Sequence, residues 1–477
     1  LFINWENRAC SRLLETKNND DMSESWNKFT LANLSLIQWR TASIFGRLIG
    51  LLNNWYEGSW LLQYSEVIAA ILISLIILLA PFVSTNLIGV LLLAGAAFWL
   101  LLTLCDPLKE GFTSIHLLVL LYWAIATVAV AFSPAKLAAF SGWIKLTLYL
   151  VLFALSARVF RNLKLRGLLL TIYLLISLLV SAYGVRQEFI GVEPLATWND
   201  PTSLLAQDTR VYSYLGNPNL LAGYLIPAVA FSIAALLAWQ SLAQKALALS
   251  MFLTNSACLY FTDSRGGWIG LIMVFAVFLV GLYYWWKDNL SPFLRVWLLP
   301  IIFSGFALLI AIAIILVEPL RLRVLSIFSG REDSSNNFRI NVWISVLQMI
   351  QDRPFIGIGP GNKVFNQIYP NYMQTNYTAL SAYSIFLEIA VETGLIGFSC
   401  FLWLIIVTVN EGVKKIINFR GHNNLQGVWM IAAIASLGGM LTHGLVDTIW
   451  YRPPINTIWW LTVGLIAANY PKRKLPL

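Results

Sequence analysis

VIAAILISLIILLAPFVS (67–84) and LIGVLLLAGAAFWLLLTLC (87–105) stand almost end to end, and neither contains a charged residue. About 20 apolar residues carry an α-helix across the ~30 Å hydrocarbon core of a bilayer. Lipid offers no partner for an open backbone N–H or C=O, so runs of this kind must be helical. Only Thr85 and Asn86 separate the two, which makes them a tight helical hairpin. Comparable runs cover 115–132, 143–160, 167–185, 219–239, 245–261, 267–286, 294–317, 384–409, 425–444 and 453–470. The chain therefore reads as an all-α polytopic transmembrane bundle of about 12 spans.

Composition agrees. Of 477 residues, 58% are hydrophobic and 12% charged, whereas soluble domains carry roughly a quarter charged residues. The excess apolar surface is expected to face a lipid bilayer. The net charge of +9 would suggest nucleic acid in a soluble protein. Here the basic residues sit between apolar runs, so they read as orientation signals and no nucleic-acid partner is expected. One alternating set of connections (Lys109; Arg158, Arg161, Lys164, Arg166; Lys245; Lys287, Arg295; Lys414, Lys415, Arg420; Lys472, Arg473, Lys474) holds fourteen Lys and Arg. The other short connections hold three: Lys136, Arg265 and Arg452. The first set is assigned to the cytoplasm. The expected organisation is a cytoplasmic or interfacial segment 1–66, a membrane domain 67–470 and a cytoplasmic tail 471–477. Both termini are cytoplasmic, and the protein sits in the inner (plasma) membrane.

Two connections stand out by length, 186–218 and 318–383, both on the outer side. Long connections are more often functional than idle. The second carries a helical pattern from Phe338 to Met349, with Ile340, Trp343, Ile344 and Leu347 at helical spacing. It breaks at Arg353-Pro354, runs into Gly357, Gly359, Pro360 and Gly361, and reads as a large helical extracytoplasmic cap.

The candidate chemistry lies at that face. Arg265 sits in the turn Asp263-Ser264-Arg265-Gly266-Gly267, where Asp263 could offset its charge. It is either an interfacial arginine reaching for water or an anion clamp whose guanidinium fork fits phosphate or carboxylate. Arg339 opens the cap helix, and Arg210 precedes Tyr212-Ser213-Tyr214-Leu215-Gly216-Asn217-Pro218-Asn219. Arginines from separate segments on one face point to an anionic substrate. Glu388 and Glu392, four apart, share a helix face. They could pair with Arg265 or Arg339, or divide into a general acid/base and a structural counter-ion, Glu392 being the structural member. His443 and Asp447 are also four apart, an orientation pair if the helix continues that far. The four cysteines and three histidines show no metal-ligand spacing, so neither a metal nor another cofactor is expected.

Several of these segments resemble the O-antigen ligase/polymerase superfamily: Leu215-Gly-Asn-Pro-Asn219, Ser264-Arg265-Gly266, Arg339-Ile-Asn-Val-Trp343, Asp352-Arg-Pro-Phe-Ile-Gly-Ile-Gly-Pro-Gly361 and Phe386-Leu-Glu-Ile-Ala-Val-Glu-Thr-Gly-Leu-Ile-Gly397. The resemblance covers roughly residues 200–470. Ser381-Ala-Tyr-Ser-Ile and His443-Gly-Leu-Val-Asp-Thr-Ile-Trp-Tyr-Arg-Pro453 look more narrowly like the cyanobacterial subfamily called inorganic carbon transporter B, described as bicarbonate transporters. The superfamily implies metal-independent transfer or polymerisation of glycans from an undecaprenyl-diphosphate carrier at the periplasmic face, in surface polysaccharide biosynthesis. Its arginines hold the diphosphate, a role that falls on Arg265 and Arg339 here. The subfamily implies the alternative reading, a bicarbonate transporter or its accessory membrane subunit, with bicarbonate as the partner. Ligases of the superfamily usually carry a His-Asn pair shortly before the span-ten glutamate. Tyr383 and Ser384 stand at those positions, leaving Glu388, His443 and Asp447 as the candidate catalytic groups.

Overall fold

The computed structural model describes residues 24–32, 52–105, 112–192, 210–422 and 424–468. Most of segment 1–66, part of the first outer loop and the tail 471–477 lie outside the described residues. The long helices are α1 (Ser65–Leu79), α2 (Thr85–Leu104), α3 (Ser114–Ala131), α4 (Lys136–Val159), α5 (Leu163–Ile190), α6 (Pro218–Ala238), α7 (Leu242–Phe261), α8 (Arg265–Trp286) and α9 (Pro292–Leu316). The cap follows as α10 (Glu318–Phe328), α11 (Ser334–Asp352) and α12 (Asn362–Ile368). The chain returns to the bundle with α13 (Ile385–Gly421), α14 (Gln426–His443) and α15 (Pro453–Ala467). Every apolar run of the sequence is helical, and the described residues contain no strand. Among the described residues, eight helices (α2, α3, α4, α5, α6, α8, α9 and α13) are long and apolar enough to cross a membrane. The protein is an all-α polytopic bundle.

Burial sorts these helices. α6 is central, with 83% of its apolar window buried, and Tyr224 and Phe231 pack at its heart. α9 is its opposite: its apolar window has mean hydropathy 2.8 and none of it is buried. A helix apolar all round and unburied by protein needs lipid as its solvent. α8 and α14 meet through small residues. A Cβ on Gly270 would lie 2.8 Å from the Gly439 carbonyl oxygen, and one on Gly439 would lie 2.9 Å from that of Gly270. Such close backbone approach is how helices associate when apolar burial alone gives no net gain.

α13 is broken. Gly394 takes φ 66°, ψ −176°, a conformation essentially reserved for glycine. The cap loop threads into the break and satisfies its freed backbone. Ile358 N–H donates to Val391 O (2.9 Å), Gly359 N–H to Glu392 O (2.9 Å), and Leu395 N–H to Pro354 O (2.7 Å). Non-helical backbone is tolerable at this depth only when protein supplies such partners.

The cap has its own apolar core. Val342, Val346, Met349, Ile358, Val364, Phe365 and Tyr369 pack with Ala138 and Ala139 of α4 and Val391 of α13. The cap helix is longer than its sequence pattern, and its buried face is Asn341, Val342, Ser345, Val346 and Met349. Ile344 and Leu347, on the stripe legible in the sequence, are exposed. The first outer loop starts later than residue 186, because α5 continues to Ile190.

Candidate active site

Three helix N-termini converge under the cap, each closed by its own side chain. Asn217 caps α6, accepting from Asn219 N–H (2.8 Å), and Pro218 follows with its ring-fixed φ. Ser264 caps α8, accepting from Gly267 N–H (3.2 Å). Asp333 caps α11, accepting from Asn336 N–H (2.8 Å). The caps place Asn219, Arg265 and Arg339 in or near the first turns of three different helices.

The arginines of this region fall into two kinds. Arg265 and Arg323 are ion-paired. Arg265 donates to Asp333 Oδ1 (2.9 Å) and to both oxygens of Ser326 (3.0 Å each). Arg323 pairs with Asp263 Oδ2 (2.9 Å) and donates to the Asp263 carbonyl (2.6 Å). Their side chains are only 11% and 14% exposed. Among the described residues, Arg210 and Arg339 hydrogen-bond to neutral oxygens and form no ion pair. Arg210 donates to Thr262 O (3.2 Å) and Asn219 Oδ1 (3.3 Å). Arg339 donates to Val446 O (2.9 Å) and Ser335 Oγ (2.6 Å). Asn219 continues the chain of contacts, donating to Asp447 Oδ2 (2.7 Å).

Electrostatics tie the four together. Burial pushes Arg210 down to about 10, with Arg323, Arg339 and Arg265 adding to the drop and Asp263 opposing it. Burial likewise lowers Arg339, with Asp447 opposing the drop and Arg265 adding to it. Burial pulls Asp333 upward, but hydrogen bonds from Arg265 and Asn336 outweigh it and hold its carboxyl below the ordinary range. Four guanidiniums thus face the carboxylates of Asp263, Asp333 and Asp447, an excess of one formal positive charge. The excess resides on the two arginines that lack an ion pair.

The sequence-derived candidates distribute as follows. Arg210, Arg265, Arg339 and Asp447 share this pocket. Asp263 pairs with Arg323, and the counter-ion of Arg265 is Asp333. Asp263 sits at φ +50°, and its carboxylate meets Arg323 of α10. Glu388 and Glu392 reach neither Arg265 nor Arg339. Glu388 Oε2 accepts from Ala382 N–H (2.6 Å), and Glu392 Oε1 accepts from Gly361 N–H (2.6 Å). Each carboxylate ties one loop of the cap to α13. α14 ends at His443, so the helical spacing to Asp447 does not apply. Asp447 lies in the following turn and is turned toward Asn219. His443 is buried against α8, and a Cβ on Gly266 would lie 2.6 Å from its ring. Its Nδ1 has no hydrogen-bond partner among the described residues.

Arg323, one of the arginines that precede Arg339 in the sequence, also belongs to the site, and Asp333 and Asn219 belong to it without having been singled out. Asp333 had a usable signal, an acidic N-cap ahead of a helical pattern. Asn219 had a weaker one, a second asparagine after a capping Asn-Pro. Tyr383 also lies here. Asp447 and Arg339 are the charges its phenol feels, beside the hydroxyls of Tyr451 and Tyr369. Three of the five non-glycine residues with positive φ among the described residues (Ser213, Asp263 and Tyr383) border the site. Strain of this kind persists where surrounding contacts hold it.

Residues 247–402 match the family model described as O-antigen ligase. The match, over about a third of the chain, supports a likeness to the ligase/polymerase superfamily, and the long apolar helices suggest an integral membrane protein. It runs from α7 into α13 and takes in Arg265, Arg323, Asp333, Arg339, Tyr383, Glu388 and Glu392. Arg210, Asn219, His443 and Asp447 lie outside it. No curated protein matches the chain.

Proposed function

We propose that this protein transfers a glycan from a polyprenyl-diphosphate carrier to an acceptor hydroxyl at the periplasmic face of the inner membrane. The cap faces the periplasm and both chain ends face the cytoplasm. The observation that carries the reading is the pair Arg210 and Arg339. Two part-buried guanidiniums from separate segments feel each other's charge under the cap, and among the described residues each is hydrogen-bonded to neutral oxygens. Fixed charge of this kind suits a diphosphate, whose negative charge grows as it departs. Arg265 and Arg323, neutralised by Asp333 and Asp263, brace the pocket.

In the step, the acceptor oxygen bonds to the anomeric carbon of the donor sugar. The bond from that carbon to the phosphate oxygen breaks, and the diphosphate keeps its electron pair. The acceptor proton passes to Asp447, whose Oδ2 is oriented by Asn219. Glu388 and Glu392 position loops, and His443 packs the helix crossing behind the pocket.

Membrane vesicles holding the protein, a polyprenyl-diphosphate glycan and an acceptor test this. Wild type should extend the acceptor, and an Arg210→Gln, Arg339→Gln double variant present at equal level should not. Equal product from both would refute the proposal.

Bicarbonate transport, implied by the narrower resemblance to inorganic carbon transporter B, is favoured by one observation, the break in α13 beside Glu388 and Glu392. Transport sites gather at such breaks. Against it, cap backbone fills this break. Sealed proteoliposomes that accumulate labelled bicarbonate would establish the second reading instead.

A further inference from the structure

Residues 382–385 are clamped from four directions. Ala382 N–H donates to Glu388 Oε2 (2.6 Å), and Trp343 Nε1 donates to the Tyr383 carbonyl (3.4 Å). Ser384 N–H donates to Thr448 Oγ1 (3.1 Å), and Ile385 N–H to Gly444 O (2.7 Å). In the middle, Tyr383 is forced to φ +49°, a region a bulky side chain enters only when its neighbours over-determine it. The clamp fixes where the phenol goes. Phe338 meets its ring edge-on at 5.3 Å. Around the ring stand Arg339 of α11, Asp447 and Tyr451 from the turn after α14, and Tyr369 of the cap. The hydroxyl itself makes no hydrogen bond among the described residues. A strained backbone thus spends its conformational cost on aiming an unused O–H donor between an arginine held by neutral oxygens and the proposed proton acceptor.

We propose that Tyr383 is the neutral hydrogen-bond donor of the anion site, its phenol O–H binding a phosphate oxygen beside Arg339. This deepens, and rests on, the polyprenyl-diphosphate reading. The phenol does not serve as a base. Burial, with Asp447 and Tyr451 adding to it, pushes Tyr383 up to about 12, so it keeps its proton throughout the physiological range. The residue standing where ligases carry histidine therefore contributes to holding the leaving group, and proton acceptance falls to Asp447.

The test is a titration of the purified full-length protein, in nanodiscs, with polyprenyl diphosphate at pH 6 to 9. Wild type is compared with Tyr383→Phe and Tyr383→His at each pH, so that the ligand's own titration cancels in the ratios. Tyr383→Phe should bind about tenfold more weakly at every pH, the scale of one charge-assisted hydrogen bond. Tyr383→His should recover binding near pH 6, where imidazolium is a donor, and fall toward the phenylalanine variant as pH rises to 9. A phenylalanine variant as tight as wild type overturns the inference, as does a histidine variant no tighter than phenylalanine at pH 6. Wild type that fails to bind polyprenyl diphosphate at any pH overturns the glycan reading itself, and the inference with it.

Discussion

Arg339 and Glu388 show how differently two charged residues in one chain are used. Arg339 meets only a carbonyl and a hydroxyl, so its charge is available to a ligand. Arg339→Lys keeps the charge but loses the planar fork. It should retain partial transfer activity, whereas Arg339→Gln should lose on the order of a hundredfold or more; acceptor extension in vesicles measures both. Glu388 has a different task, accepting from Ala382 N–H. Glu388→Gln keeps an acceptor oxygen of the same shape and should leave activity within about threefold of wild type. Glu388→Leu removes the acceptor and should lower stability by about 1–3 kcal/mol, visible as a fall in melting temperature. A glutamine variant as inactive as the leucine variant would make Glu388 chemical rather than positioning. The arginines were legible in the sequence because a cation beside long apolar runs is costly and so carries information. What no spacing rule contains is the partner of each one. Asp263 lies two residues from Arg265 and yet pairs with Arg323 of α10, 60 residues further along the chain.

Among the elements, α13 separates what periodicity can reveal from what it cannot. Twelve apolar runs became helices because lipid leaves the backbone no alternative. The break at Gly394 was hidden, since Thr393-Gly394-Leu395 looks like any small residue in an apolar helix. It exists because distant chain, Pro354 to Gly359, arrives to satisfy the freed groups. The His443–Asp447 spacing failed for the related reason that α14 stops at His443. Gly394→Ala puts a Cβ into the Phe355 backbone at a φ that disfavours side chains. It should cost about 2 kcal/mol or more and lower the melting temperature. Gly89→Ala is the control. A Cβ there meets nothing within 4 Å on α2, so the variant should be neutral or gain up to about 1 kcal/mol from helix propensity. Equal melting temperatures for the two variants would contradict the role given to the break.

At the scale of the whole molecule, a lipid-embedded bundle holds up one polar face. α6 is the buried axis, and α9 leaves its whole apolar window unburied by protein, touching α8 at Phe275 and Phe306, an arrangement that suits a membrane. The cap rests on α4 and α13 through its own small core, so the arginines gather under a lid joined to the bundle at Gly361 and Ala382. The proposed orientation has a direct check. Single cysteines placed at exposed Phe355 in the cap and at exposed Ile417 near the far end of α13 lie toward opposite ends of the bundle. In intact cells with the native cysteines replaced, a membrane-impermeant maleimide should label the first and spare the second. The reverse pattern would turn the protein over. The measurement that bears most directly on the anion pocket is an experimental structure of the protein with polyprenyl diphosphate bound. Phosphate density within hydrogen-bond reach of both Arg210 and Arg339, with the Tyr383 hydroxyl alongside, is the expected result. Density lodged elsewhere, with Arg210 and Arg339 still bound only to their own protein oxygens, would contradict it.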